Sequence, residues 1–299
     1  MSKIDLDKVA PVAGTLLPGT VRHLRARAAG TSPPVPLPWG PVAAALRGGL
    51  WPGLHVLAGA PGTGKTQFTV QVAVHAAQHG TPVLYASLEL CSDEMVSRLL
   101  GAAGGFRWSD AWTGDEDAVE ELRAACALPW VAKLPIRLWV PPKRLSTDRL
   151  RMHVAAFVDT DRRPPAGRTP PLVVVDYLQR LSSRKRGGDE DPRGRVGQAA
   201  YAARGLARDL GVAVLLVSSV SREHYKRSGG DPTDYLGVGK ESGDVEFSAD
   251  TIAALVSDVA GGPASRKLQL AKVRYGTPAT CDLLFDGASF TAPTTKALT

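Results

Sequence analysis

The stretch LHVLAGAPGTGKT, residues 54–66, decides how the rest of this chain is read. Its first five residues are almost wholly apolar, as expected of a strand buried on both faces of a sheet. The eight that follow, Gly59 to Thr66, satisfy G-x-x-x-x-G-K-[ST], and Lys65–His79 beyond them reads as a helix. Strand, glycine-rich loop and helix in that order make a phosphate cradle. Glycines let the loop aim its backbone N–H groups at an anion, and the helix start adds partial positive charge there. Gly59, Ala60, Pro61, Gly62, Thr63 and Gly64 are therefore expected to line a bound nucleotide. Lys65 is expected to reach the β- and γ-phosphates, and the Thr66 hydroxyl to bind Mg²⁺.

Outward from this motif, short apolar runs recur: PVLYAS (82–87), IRLWV (136–140), LVVVD (172–176), VAVLLVS (212–218) and TIAALV (251–256). Between them lie helical stretches at Ser92–Leu100, Asp115–Ala125, Thr147–Val158 and Gly197–Leu210. Such alternation predicts a doubly wound α/β domain with a mostly parallel sheet flanked by helices. The end, RKLQLAKVRYG (266–276) then ATCDLLFD (279–286), reads as two adjacent antiparallel strands, a C-terminal β-hairpin. Ahead of this domain (51–292) stands a segment of residues 1–50, and behind it a short tail, 293–299. Within the segment Thr20–Ala29 reads as a short basic helix, and TSPPVPLPWGP (31–41) as an extended, proline-rich linker.

Composition narrows the class. With 44% hydrophobic and 22% charged residues, the 299-residue chain is globular rather than disordered. A net charge of +7 suits a polyanionic partner. The cysteines, Cys91, Cys126 and Cys281, are widely spaced, which argues against a zinc ribbon or a disulfide framework and fits a reducing cytoplasm. His75 and His79 stand four apart, but H-A-A-Q-H lacks a protease glutamate and reads as helix surface. The longest apolar run, Leu210 to Val217, is far short of a membrane span, and Met1–Ala10 is unlike a signal peptide.

Two carboxylates complete the chemistry. Asp176 ends LVVVD at the strand edge where ligands bind in open α/β sheets, which makes it a candidate for the Mg²⁺ shell. Glu89, directly after the second strand, is placed to orient or deprotonate an attacking water. Two long polar segments, Ser182–Arg195 and Arg222–Lys240, read as functional loops.

From Leu37 to Phe285 the chain resembles the RecA-fold ATPase domain of DnaB-type replicative helicases. The resemblance is carried in order by GAPGTGKT, YASLEL, LVVVDYLQRL, GLARDLGVAVLLVSSVSRE, GKESGDVEFSAD and LQLAKVRYG. It implies a RecA-like P-loop ATPase that moves on single-stranded DNA as a hexameric ring or spiral. It also implies that Glu89 is the catalytic base, and that Lys272 and Arg274 reach the neighbouring subunit's ATP. Arg98 matches an arginine that packs on the adenine. Arg184, Lys185, Arg186, Arg193 and Arg195 of the first loop, with Lys226 and Arg227 of the second, match segments that track DNA. Such backbone-directed contacts are electrostatic.

Two departures stand out. Ser219 occupies the position of a glutamine that senses the γ-phosphate, which puts the coupling of ATP state to the DNA loops in question. Only about fifty residues precede the ATPase core, where family members carry a collar domain that recruits primase. Contacts with primase or another replication or repair protein through that collar are not implied. Thr20–Ala29 matches the linker helix that packs on the next subunit. Alternatives are a RadA-like recombination ATPase, which KVRYG partly echoes, and a nucleotide-dependent switch or scaffold that does not translocate.

Overall fold

The computed structural model describes residues 12–141, 145–160, 168–182, 192–219 and 243–293. At its centre β1 (Gly53–Gly59) is buried along its whole length. It lies between β7 (Ala213–Ser219) and β8 (Thr251–Ser257), parallel to both. Beyond β7 the parallel sheet continues through β5 (Leu172–Asp176) and β2 (Val83–Ser87) to β3 (Ile136–Trp139). On the other side β9 (Ser265–Val273) runs antiparallel to β8 and β10 (Ala279–Phe285) antiparallel to β9, the expected hairpin. A two-residue strand, β11 (Phe290–Thr291), closes that flank, while β4 (Leu145–Ser146) and β6 (Leu181–Ser182) pair in parallel as a separate small sheet.

The lack of alternation in these strands has a direct cause. Leu172 and Val174 belong to one buried cluster, and Val173 and Val175 to another across the sheet. Both faces are covered, so successive residues are all apolar. The first face is covered by α3 (Lys65–Gln78) and α4 (Ser92–Gly104), the second by α7 (Thr147–Asp159) and α8 (Pro192–Leu210). Each fully buried aliphatic side chain contributes about 1.5–3 kcal/mol, so most of the fold's stability lies in these layers. Between α4 and β3, α5 (Trp108–Trp112) and α6 (Glu116–Cys126) form a small helical cap; the Asp115 side chain starts α6 by accepting from Ala118 N–H at 2.9 Å.

Three expectations need correction. Residues 31–41 are not a free linker. Val35, Leu37 and Trp39 are buried, Val35 bridges to Leu50, and Gly40–Ala45 forms a short helix, α2, with proline in its first turn. Apolar residues interleaved with the prolines give the extended chain a face that the core takes up. Trp39 stacks on Phe68 at 4.3 Å and donates its indole N–H to the Phe290 carbonyl. The N-terminal helix, α1 (Ala13–Ala28), is longer than expected and runs through Pro18. Finally, α8 begins at Pro192, so Arg193 and Arg195 belong to a helix rather than a loop. Proline is well suited to a first helical turn, where its missing N–H has no partner to lose.

Among the described residues no helix is long and apolar enough to cross a membrane. The same residues hold no cluster that would ligate a metal through three or more His, Cys, Asp or Glu. The rings of His75 and His79 lie 4.2 Å apart, tilted by 41°, at the C-terminal end of α3.

Candidate active site

The register of the parallel strands assembles the site. Gly59, at the end of β1, is level with Ser219 of β7, and Ser87 of β2 is level with Asp176 of β5. The loop 60–64, Asp176, Ser219 and the residues after β2 therefore meet at one edge of the sheet, around a cavity of about 570 Å³. That size suits a small-molecule ligand.

The loop itself is shaped by Gly64. Its φ of 97° belongs to the left-handed region, and a Cβ there would lie 2.7 Å from the Phe290 ring. The stacked rings of Phe285 and Phe290 thus support the loop from beneath, an approach only glycine permits. Lys65 donates from Nζ to the Ala60 carbonyl at 2.9 Å, spanning the loop it follows. Burial lowers its pKa, opposed by the nearby Asp176 and Glu89 carboxylates. Thr66 donates its hydroxyl to Asp176 Oδ2 at 2.7 Å. Burial raises the pKa of Asp176, while the Thr66 hydrogen bond pulls it down. Tyr85, a residue not expected here, lies behind the pair; its hydroxyl is 3.4 Å from Asp176 and 2.8 Å from Thr69. Glu89 is exposed at the cavity rim, anchored through Leu88, whose N–H donates to the Asp176 carbonyl at 2.7 Å.

A hydroxyl beside a carboxylate, with an ammonium opposite, is a donor set that fits a magnesium-bound polyphosphate. A second feature agrees. Both amide atoms of Gln67, buried against the cavity, lack a hydrogen-bond partner among the described residues. Buried polar atoms without partners are rare and costly in a finished fold. Thr66 and Asp176 would hold the ion, and the 59–66 loop the phosphates.

Arg98 also lines the cavity, but its guanidinium is stacked 3.7 Å from the Trp108 ring and paired with Glu94 at 2.7 Å. Trp108, Phe285 and Gln67 are pocket residues that the sequence reading did not single out. Only the aromatic character of the first two could have marked them. Ser219 lies in the lining, and its backbone is held by Gln179, whose amide donates to the Ser219 carbonyl at 2.9 Å and accepts its N–H at 3.3 Å.

Lys272 and Arg274 lie elsewhere. Antiparallel β9 carries Lys272 level with Ile252 and Val273 level with Thr251, the start of β8, beside the first half of β1. From Leu54 to Gly59 a strand advances roughly 15–20 Å. Arg274 therefore does not reach this subunit's own cavity. It is paired with Asp250 at 2.7 Å, while Lys272 donates to the Glu246 carbonyl. Arg184, Lys185, Arg186, Lys226 and Arg227 lie outside the described residues. Arg193 and Arg195 stand in the first turn of α8.

Comparison with known proteins bears on the whole chain. The family described as the DnaB-like helicase C-terminal domain matches residues 44–292. A probable replicative DNA helicase of Trieres chinensis is 27% identical over 242 residues, 78% of this chain and 51% of that protein. The replicative DNA helicase DnaB of Geobacillus stearothermophilus is 27% identical over 239 residues, 78% of this chain and 50% of its own length. The chain thus spans about half the length of these relatives. Among solved structures, the ATPase domain of G40P superposes with a TM-score of 0.79 at 22% identity, covering 98% of this chain and all of that one. A DnaB-like replicative helicase studied for its interactions with primase gives 0.78 at 22% identity, covering 94% of this chain and 68% of that one. Both share the fold described above.

Proposed function

The chain belongs to the family of DnaB-like helicase C-terminal domains, and from that premise we propose that it is the ATP-hydrolysing motor of a DNA helicase or translocase. The observation that carries this reading is the joint placement of Lys65, Thr66 and Asp176 around one cavity, with Arg274 at the far end of the sheet. A site so divided is incomplete in one subunit and complete between two, so ATP is hydrolysed at interfaces of a ring or spiral.

ATP and Mg²⁺ supply the phosphoryl group and the charge that neutralises it. The 59–66 loop and Lys65 would hold the phosphates in place, and Thr66 and Asp176 would hold the ion. Glu89 accepts the proton of the attacking water. Arg274 from the neighbouring subunit stabilises negative charge on the transferring group, an effect of about 10³–10⁵ in rate for such arginines. Several exposed apolar side chains support subunit contacts. Phe247 and Tyr275 flank the Arg274 edge, and Leu17, Val21 and Leu24 form a stripe along α1 that none of the described residues covers. This is the placement expected of a helix that packs on a neighbour.

The basic residues Arg184, Lys185, Arg186, Arg193, Arg195, Lys226 and Arg227 are proposed to track single-stranded DNA, and a primase or another replication or repair protein is proposed as the protein partner. Residue 219, which precedes the second basic segment, is level with Gly59, and residue 182, which precedes the first, follows Asp176 by six residues along the chain. That proximity offers a short route between nucleotide and DNA.

The first test is ATP turnover with and without single-stranded DNA at low and moderate salt. Several-fold stimulation that fades as salt rises is expected of a DNA-coupled motor. Turnover indifferent to DNA favours the second reading, a nucleotide-dependent switch; the serine at 219, too short to reach as a glutamine would, is the observation behind it. Arg274→Ala is expected to abolish turnover and spare ATP binding. Undiminished hydrolysis in that variant would sink the shared site.

A further inference from the structure

One buried carboxylate ties Arg274 to the strand that carries the phosphate loop. Asp250, directly before β8, donates its N–H to the Leu54 carbonyl at 2.7 Å and accepts from the Arg274 N–H at 2.8 Å. Its side chain repeats both connections. Oδ2 accepts from the Leu54 N–H at 3.0 Å, and Oδ1 lies 2.7 Å from Arg274 Nε. Arg204, which also donates to the carbonyls of Phe247 and Ser248, approaches the same Oδ1 at 3.8 Å.

The carboxylate has little room to turn. It sits over Gly53, where an added Cβ would lie 2.5 Å from Oδ2. Arg274 is 38% exposed, and neither of its terminal nitrogens makes a hydrogen bond among the described residues. The contact at Nε is an ion pair, and because a guanidinium is a rigid plane, tethering one edge of it restricts where the two outer nitrogens lie. A long arginine without such a hold samples many rotamers.

We propose that Asp250 is a positioning residue for Arg274, gripping Nε so that the outer nitrogens are presented to the neighbouring subunit's phosphate. The proposal rests on the reading of Arg274 as a group that acts across a subunit interface. It adds that the aim of this group is set within its own subunit, before assembly, from the base of β1.

A double-mutant cycle on the full chain tests it. Wild type, Arg274→Ala, Asp250→Asn and the double variant are compared in single-turnover hydrolysis of labelled ATP, where slow rates stay visible. Binding of a fluorescent ATP analogue and thermal melting are recorded for each. Asparagine keeps an acceptor for the Leu54 N–H and removes the charge. A misaimed group typically loses about 10²-fold in rate. That loss is expected in Asp250→Asn, with analogue affinity unchanged and the double variant no slower than Arg274→Ala.

If Arg274→Ala hydrolyses ATP normally, the interface reading falls and this proposal falls with it. If Arg274→Ala is slow but Asp250→Asn is normal, the interface reading stands and the proposal alone is overturned. Losses that multiply in the double variant overturn it as well, since Asp250 would then act on the fold and not through Arg274. Should Asp250→Asn fail to fold, Asp250→Ser takes its place in the cycle. Failure of both to fold assigns Asp250 to docking β8 on β1 and overturns the proposal.

Discussion

If Glu89 is the base proposed above, replacing it with glutamine separates chemistry from binding. The side chain stands at the cavity rim, outside the Thr66–Asp176 pair, so its amide leaves the nucleotide cradle in place. Turnover is expected to fall by about 10²–10⁴, the usual contribution of a general base, while affinity for an ATP analogue holds. His55, inside β1, reports on stability instead. Its Nε2 is 2.8 Å from the Trp51 carbonyl, which can only accept, so Nε2 carries the proton and Nδ1 accepts from Thr251. Burial lowers its pKa below the ordinary value. The unfolded chain therefore takes up a proton near pH 6.5 that the folded chain refuses. Stability is full above that pH and declines as pH falls from about 6.5 towards the lowered folded value. The slope for one proton is at most about 1.4 kcal/mol per pH unit. Melting followed from pH 7 to pH 5 should fall less steeply in His55→Gln than in wild type. Parallel curves would show that His55 contributes nothing to it.

Elements make their contributions through what they cover. Trp39 arrives from a proline-rich stretch, yet its ring closes the core against Phe68 and Phe290. Trp39→Ala should cost about 3–5 kcal/mol in urea unfolding; a loss near zero would mean that residues 35–50 are dispensable to the packed domain. Beneath the phosphate loop, Gly64→Ala combines a left-handed backbone with a contact against Phe290. The backbone cost alone is roughly 1–2 kcal/mol. Lower melting together with weaker binding of an ATP analogue is the expected result, and unaltered binding would show that the loop does not need this shape. Helix and strand positions were largely legible in the chain, since periodicity and glycine are local signals. The structural role of 35–50 was not, because prolines announce an extended backbone and say nothing of what its side chains meet.

At the scale of the whole molecule, a helix with no buried residue contributes little to holding the subunit together; α1 meets it near its C-terminal end, where Arg27 lies 4.6 Å from the Trp51 ring. The exposed stripe of Leu17, Val21 and Leu24 on α1 is spaced at four and three residues, one helical face. Changing all three to serine should move subunit stability by less than about 0.5 kcal/mol each and shift the sedimenting species towards monomer. An assembly unaffected by the triple change would exclude this face from subunit packing. The sequence by itself determined the α/β layering, the glycine-rich loop at 59–66 and the two carboxylates beside it. Each of those is written in the spacing of neighbouring residues, and Asp176 and Glu89 are recognisable because one ends an apolar strand and the other closely follows one. Only the tertiary structure decided that Tyr85 backs Asp176, that Gln67 waits unpaired in the pocket, and that Arg274 stands a strand's length from its own subunit's site, held by Asp250. Those relations join residues far apart in the chain through a strand order that does not follow the sequence, with β7 between β1 and β5 and β9 reversed against β8. No local pattern encodes which strands become neighbours, because pairing is settled by the burial of both sheet faces at once.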